Sequence, residues 1–362
     1  MLKEIGSNFW LNKNIKLENK EVKFDFLGIK SIDISFISTG RGAISYVLQH
    51  IKIPQEKKIA LIPSFTCYSV IEPFLKAGYK VHYYNINKNL SIEKKSFIET
   101  IGRIKPSVVL LHGYFGFNTL NSIEDIIQSI REEGVIVIED ITQSLYSNFK
   151  HIAADYYVCS LRKWAPLPDG GCAISTKNPF SYKPIKQDKK LEKAKIEAFH
   201  AKYLYIEENI GIKDDFLKQF KEAEQILSEQ SSIFAMSEIS KKIQANLNID
   251  FLRNRRKRNY SILSKELIDS TILESIFPNL PEEVTPSYFP VYVKFDRRKM
   301  QEYLAKHDIY APVIWPKPSQ CEGMIDSKVE WIYKHILAIP CDQRYDIDDM
   351  ERIVQVLKSY EN

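Results

Sequence analysis

Long apolar runs are what this chain of 362 residues most plainly lacks. None reaches the roughly 18 residues that a membrane-spanning helix needs, so no such span is expected. Cysteine is scarce as well. Cys67, Cys159, Cys172, Cys321 and Cys341 are scattered, and none forms a C-x-x-C pair. That spacing speaks against a zinc site and against a disulfide framework, and it fits a reducing compartment. The opening residues, MLKEIGSNFWLNKN, carry no apolar core of a signal peptide, so a cytoplasmic setting is expected. Charge of one sign is nearly balanced by the other. Lys and Arg number 51, Asp and Glu 46, and the formal charge of +5 is too small to imply a nucleic-acid partner by itself. Low-complexity segments and internal repeats are missing too.

What is present is a substantial core. Hydrophobic residues make up 44% of the chain, enough for one large domain and a smaller one. From about Ile32 to Ser175, short apolar runs alternate with amphipathic stretches. The runs at 58–62, 80–84, 107–111, 135–139, 156–160 and 172–175 are rich in Val, Ile, Leu and Tyr, as strands buried on both faces are. Helices are expected at Gly42–His50 and Ser122–Arg131. This alternation predicts an α/β fold with a mainly parallel sheet. Residues 184–229 are charged and helix-favouring. Ile239, Ile243, Leu247 and Phe251 then recur every fourth residue, which predicts one long helix with a single buried face. A strand at 288–295 and helices at 297–307 and 350–357 complete a small α+β region. The expected organisation is an N-terminal segment 1–30, a large domain 31–235 with the helical insert at about 184–229, and a long helix plus small domain over 236–362.

Four pieces of the large domain carry chemistry. In VIVIEDITQS, residues 135–144, a buried strand runs into two acids. Asp140 falls at the carboxyl end of that strand, where open α/β sheets bind ligands. A carboxylate there can hold a pyridinium nitrogen protonated, and Gln143, three residues on, could reach the same ring. The alternative is that Asp140 caps a following helix. In CSLRKWAPLPDGGC, residues 159–172, a strand ends at Ser160. Lys163 follows in an irregular segment that presents a hydroxyl and an amine from one turn. In STGRGAISYVL, Gly40 and Gly42 open a helix whose first-turn amides suit a phosphate, with Arg41 adding charge. A simple tight turn is the other reading. In LIPSFTCYSV, Phe65, Cys67 and Tyr68 lie near a strand end where a flat ring can be stacked, although Phe65 fits core packing better.

These motifs stand in one order along the chain: TGRGAI, IPSFTCYSVIEPFLKAGYKVHYYNIN, LLHGYFG, VIEDITQS, SLRKW, then YFPVYVKFDRRKMQEYLAKHDIYAPVIWPKP and ILAIPCDQRYDIDDMERIVQVLKSY. In that order and at those distances the chain resembles the DegT/DnrJ/EryC1/StrS family of pyridoxal-phosphate-dependent aminotransferases. The resemblance extends over nearly the whole sequence. It implies fold type I, with a mainly parallel sheet of the seven-stranded type in a large domain and a small C-terminal α+β domain. It implies pyridoxal 5'-phosphate as cofactor, an amino-acid donor such as glutamate, and a keto acceptor, typically a keto-sugar or nucleotide-linked keto-sugar. A homodimer is implied as well.

By position, the resemblance makes Lys163 the lysine that carries the cofactor as a Schiff base. Asp140 then pairs with the pyridinium nitrogen and Gln143 with the hydroxyl side of the ring. Gly40, Arg41, Gly42 and Ser160 fall on the phosphate site. The ring-stacking aromatic of many relatives aligns with Cys67, and Tyr68 is the neighbour able to take its part. The chain departs from the family in four places, one of them the charged helical insert near 184–229. Ser160 precedes Lys163 by three residues where relatives commonly have five, SIFAMSE carries no asparagine, and Ile314-Trp315-Pro316 replaces a His-Tyr-Pro. His112, Trp315 and Lys317 are candidates on the substrate side, each with a plain packing or polar-satisfaction alternative. No metal is expected. A lyase or dehydratase on the same scaffold is the alternative enzyme, and relatives of that kind commonly replace the lysine. A regulator using the basic run Arg253–Arg258 on DNA is the non-enzymatic alternative; a solvated helical face is the commoner reading of such a run.

Overall fold

The computed structural model describes residues 3–230 and 232–361. Backbone contacts divide the chain into two compact units, each discontinuous in sequence. One comprises Met1–Ser7, Ile53–Ala154 and Asn248–Asn362, the other Asn8–Lys52 and Asp155–Leu247.

In the first unit, four parallel strands run side by side in the order Ile136–Asp140, Val108–His112, Ile59–Pro63, Lys80–Tyr84. Val108–His112 is buried at every position, which explains why its sequence, VVLLH, shows no polar alternation. Helices Tyr68–Lys76, Lys94–Ile104 and Glu124–Glu132 link these strands. The last of them buries Ile127 and Ile130, each worth about 2 kcal/mol. Its acids Glu124 and Asp125 sit in the first turn and Arg131 in the last, which suits the helix dipole. The same unit holds a second, antiparallel set in the order Ile336–Ile339, Phe289–Val293, Leu273–Ser275. Helices Arg297–Lys306, Ser327–His335 and Ile347–Glu361 accompany it. Asp296 starts the first of these by accepting from the amides of Arg298 and Lys299.

In the second unit, three antiparallel strands run in the order Asp33–Ile37, Gly171–Ser175, Tyr156–Cys159. Helix Gly40–His50 packs on the latter two. The charged insert forms two helices, Lys189–Glu207 and Lys213–Ser228, which pack on each other. Their core is Ala198, Phe199, Phe216 and Phe220, flanked by Phe9 and Leu11 from the N-terminal segment. Lys202 is fully buried beside it and donates to the Asn8 carbonyl at 2.8 Å.

The α/β expectation is borne out, and most strands lie within one residue of their expected positions. The long helix is not. Glu238–Ala245 and Ile249–Glu266 are separate helices, because the Asn248 side chain caps the second by accepting from Phe251 N at 2.9 Å. The break shifts the helical phase. Leu252 is therefore buried, while Phe251, expected on the buried stripe, is 47% exposed.

Candidate active site

In the first unit, strands Val108–His112 and Ile136–Asp140 pair so that Leu111 opposes Glu139 and His112 opposes Asp140. Both Asp140 and His112 are therefore last residues of their strands. Side chains alternate along a strand, so the two adjacent acids part company. Glu139 is buried and paired with His151 Nδ1 at 2.9 Å. Asp140 is half-buried at the carboxyl end, where its Oδ1 accepts from Thr142 N at 2.9 Å. A turn, not a helix, follows at 142–146, so the helix-capping alternative does not hold. Burial raises the Asp140 carboxyl to about 6, opposed by the Thr142 bonds and reinforced by the Glu139 charge.

Gln143 Oε1 accepts from Phe115 N at 2.5 Å. That bond fixes the amide orientation and leaves its NH₂ end as the donor. It also anchors a tight turn. Phe115 has φ +56°, and Gly116 has φ +95°, with room for no side chain, because a Cβ there would lie 2.1 Å from the Thr285 carbonyl.

His112 is buried, with Nε2 at 3.2 Å from Thr66 Oγ1. Burial drives its imidazole down to about 4, so it is neutral near pH 7. Its ring packs edge-on to Tyr114 and Trp315, at centroid distances of 4.6 and 5.4 Å. Phe65 is wholly buried among Tyr114, Trp315 and Tyr333, so core packing is its part. Trp315 thus joins His112 in one aromatic cluster. Lys317 makes a surface ion pair with Glu330 at 3.1 Å instead. Cys67 is half-buried at the head of helix Tyr68–Lys76, where its sulfur accepts from the Ser69 hydroxyl at 3.1 Å. Tyr68 is 42% exposed.

Tyr333 escaped the sequence reading. Its hydroxyl accepts from Thr66 N at 2.8 Å and lies 3.0 Å from the carbonyls of Ser64 and Thr66. It holds the segment before Cys67 from 267 residues away in sequence, a separation at which no local signal exists.

In the second unit, Gly40, Arg41, Gly42 and Ser160 come together. Thr39 caps helix Gly40–His50 with its side chain, accepting from Gly42 N at 2.9 Å. The Gly42 amide is therefore already engaged by the cap. A Cβ on Gly40 would lie 2.9 Å from Ser160 Cβ. One on Gly171 would lie 2.6 Å from the Thr39 carbonyl carbon and 2.7 Å from the Cys159 oxygen. Three backbone segments meet there at a distance that only glycine allows.

Lys163 is the exposed last residue of a single 3₁₀ turn, Leu161–Lys163. The loop behind it is buried at Trp164, Ala165, Leu167 and Asp169. Asp169 is a second residue that the sequence reading passed over. Its carboxylate accepts from Ser237 N at 3.0 Å and Ser237 Oγ at 2.7 Å, while its own amide donates to Ser240 Oγ at 3.3 Å. The lysine turn is thereby fastened at its far end to the start of helix Glu238–Ala245.

The basic run has its own structural employment. Arg256 is buried and donates to Gln343 Oε1 and to the carbonyls of Pro286 and Ser287 at 2.8–3.1 Å. Arg253 donates to the Tyr146 carbonyl at 2.8 Å, and Lys257 to that of Glu282. The expectation of a solvated helical face is corrected accordingly, since Arg256 is buried and Arg253, Arg255, Lys257 and Arg258 are partly so. The run ties helix Ile249–Glu266 to neighbouring backbone, because buried carbonyls need donors. No helix among the described residues is long and apolar enough to cross a membrane.

Comparison with known proteins agrees with this architecture. The family model described as Aminotransferase class-V matches residues 12–181. Among solved structures, PseC of Helicobacter pylori, an aminotransferase involved in the biosynthesis of pseudoaminic acid, aligns with a TM-score of 0.71 and 15% identity over 99% of each chain. A DegT DnrJ EryC1 StrS aminotransferase from Brucella abortus aligns with a TM-score of 0.63 and 16% identity, over 93% of this chain and 87% of that one. DesV of S. venezuelae, solved with a ketimine intermediate, aligns with a TM-score of 0.66 and 14% identity over 96% and 91%. No curated protein matches. The chain thus has the fold of the DegT/DnrJ/EryC1/StrS aminotransferases, fold type I, and matches the class-V aminotransferase family over residues 12–181.

Proposed function

We propose that this protein is a pyridoxal-phosphate-dependent aminotransferase that moves an amino group from an amino acid, glutamate in the first instance, to a keto-sugar, free or nucleotide-linked. The observation that carries this reading is the half-buried Asp140 at the end of its strand, with a carboxyl poised near 6. The class-V aminotransferase match supports it, since residues 12–181 include Arg41, Asp140 and Lys163. So do the neighbours of the same fold, among them a sugar aminotransferase, CalS13 of Micromonospora echinospora.

The residues suit this cofactor. Around Gly40, Ser160 and Gly171 the backbone segments approach so closely that no Cβ fits at either glycine, which brings the Gly40 helix start beside Ser160. The Ser160 hydroxyl, the Arg41 guanidinium and the first-turn amides are the donors a phosphate takes. Asp140 supplies the anion for a protonated ring nitrogen, and the NH₂ of Gln143 supplies a donor to the ring oxygen. Neutral His112 adds no competing positive charge. Lys163 and Asp140 lie in different units of the chain, and what joins them in this reading is the collinear order of the motifs.

When bound, pyridoxal phosphate supplies an electron sink for the charge left at a deprotonated Cα. Asp140 keeps the ring nitrogen protonated through an ionised carboxylate, and a nearby cation lowers that carboxyl from its value of about 6. Lys163 Nζ holds the cofactor covalently. With the cofactor bound, the Lys163 amine would be the group that accepts and returns the proton at the substrate Cα. The same amine would serve in both directions of amino transfer, since each requires one proton to be moved at that carbon. A homodimer in the cytoplasm belongs to this proposal, on the strength of the family resemblance.

A visible absorbance spectrum before and after glutamate tests it. The lysine-linked band should be present, bleach with glutamate and return with a keto-sugar. Lys163→Ala should show neither the band nor turnover. A wild-type protein that takes up no cofactor would overturn the reading.

A further inference from the structure

The insert helices Lys189–Glu207 and Lys213–Ser228 have no part in the chemistry above, yet they reach the lysine turn. Glu224 on the second helix pairs with Arg162 Nη1 at 3.6 Å and with Lys195 Nζ on the first helix. Arg162 is the residue immediately before Lys163. Its Nε is buried with no hydrogen-bond partner among the described residues. The Lys195 side chain is only 5% exposed. One carboxylate, itself 54% exposed, thus serves two largely buried cations on two elements, and removing it leaves both cations without that counter-charge. Burial raises the Glu224 carboxyl, but Arg162, Lys195 and Lys163 together hold it below the usual range.

We propose that Glu224 is a positioning residue. By gripping Arg162, the insert clamps the near end of the Leu161–Lys163 turn, as Asp169 fastens the far end. The pair of helices is then a brace for the cofactor lysine, and Glu224 is its point of contact. This rests on the aminotransferase reading only in so far as Lys163 is the cofactor lysine; the clamp on the turn stands by itself.

Hydrogen exchange of the cofactor-free protein reads the clamp directly. The amide of Trp164, which donates to the Leu161 carbonyl at 3.0 Å, closes the turn. In Glu224→Gln the peptide spanning 160–167 should exchange about tenfold faster, and Glu224→Asp, which keeps the carboxylate, should recover most of the protection. Lys195→Met with Glu224→Gln removes both members of the Lys195–Glu224 ion pair. That double variant should regain the wild-type melting temperature but not the local protection. In the loaded enzyme, the circular dichroism of the visible cofactor band should fall roughly twofold in Glu224→Gln, because a loosely supported group loses its fixed geometry. Wild-type exchange in Glu224→Gln would overturn the proposal. So would full local recovery in the double variant, which would make Glu224 a counter-ion for Lys195 alone. Failure of the wild type to show any cofactor band would refute the aminotransferase reading and leave the exchange result to decide the clamp.

Discussion

Asp140 and His112 end neighbouring parallel strands in the same register, and burial moves their titrations in opposite directions, the carboxyl up to about 6 and the imidazole down to about 4. Each shift disfavours the charged form. Above pH 6 or so the pair carries a single negative charge, the state that suits a cationic ring nitrogen.

The Asp140 shift has a consequence for stability. Between about pH 4 and 6 the folded carboxyl keeps a proton that the unfolded one releases, so stability falls as pH rises through that window. Asp140→Asn escapes the penalty. Without cofactor it should be more stable than wild type at pH 8, by on the order of 2 kcal/mol, and equal to it at pH 4. With cofactor it should bind about tenfold more weakly, having lost a charge-assisted hydrogen bond. Thermal melts at the two pH values and a cofactor titration check this. An equal stability difference at both pH values would contradict it.

Gln143 separates two roles by chemistry. Its carbonyl holds Phe115 N, while its NH₂ is the proposed ring donor. Gln143→Glu keeps an acceptor for Phe115 and loses the donor. It should fold with near wild-type stability and bind cofactor poorly. Gln143→Leu leaves the Phe115 amide without its partner and should lose about 1–3 kcal/mol as well. Urea unfolding and cofactor titration of both variants distinguish the roles. Identical behaviour of the two would refute the division.

The glycines give predictions of opposite sign. Gly171→Ala forces a Cβ against backbone atoms of Thr39 and Cys159, and overpacking there should cost about 1–3 kcal/mol and weaken phosphate binding. Gly102 lies in helix Lys94–Ile104 with nothing within 4 Å of its would-be Cβ. Gly102→Ala should stabilise by roughly 0.5–1 kcal/mol. Denaturation midpoints of the two variants should move in opposite directions, and a loss in both would undo the steric argument.

The sheet was legible because strands such as Val108–His112 are continuous apolar runs, and no tertiary knowledge is needed to see them. Asp140 was legible from its place at a strand end. Its separation from Glu139 required the register, since parity decides which acid enters the core. The break at Asn246–Asn248 was hidden because every-fourth-residue spacing across it mimics one helix. The basic run misled for a different reason. The carbonyls that occupy Arg253 and Arg256 come from the distant residues Tyr146, Pro286 and Ser287, and charge alone carries no information about them. Tyr333, Asp169 and Glu224 were invisible on the same ground, since each acts through a partner at least 60 residues away.

The most direct measurement is to reduce the cofactor-loaded protein with borohydride, digest it, and locate the modified lysine by mass spectrometry. The account predicts one phosphopyridoxyl group, on Lys163. Modification of another lysine with Lys163 untouched, or cofactor bound with no reducible link, would contradict it.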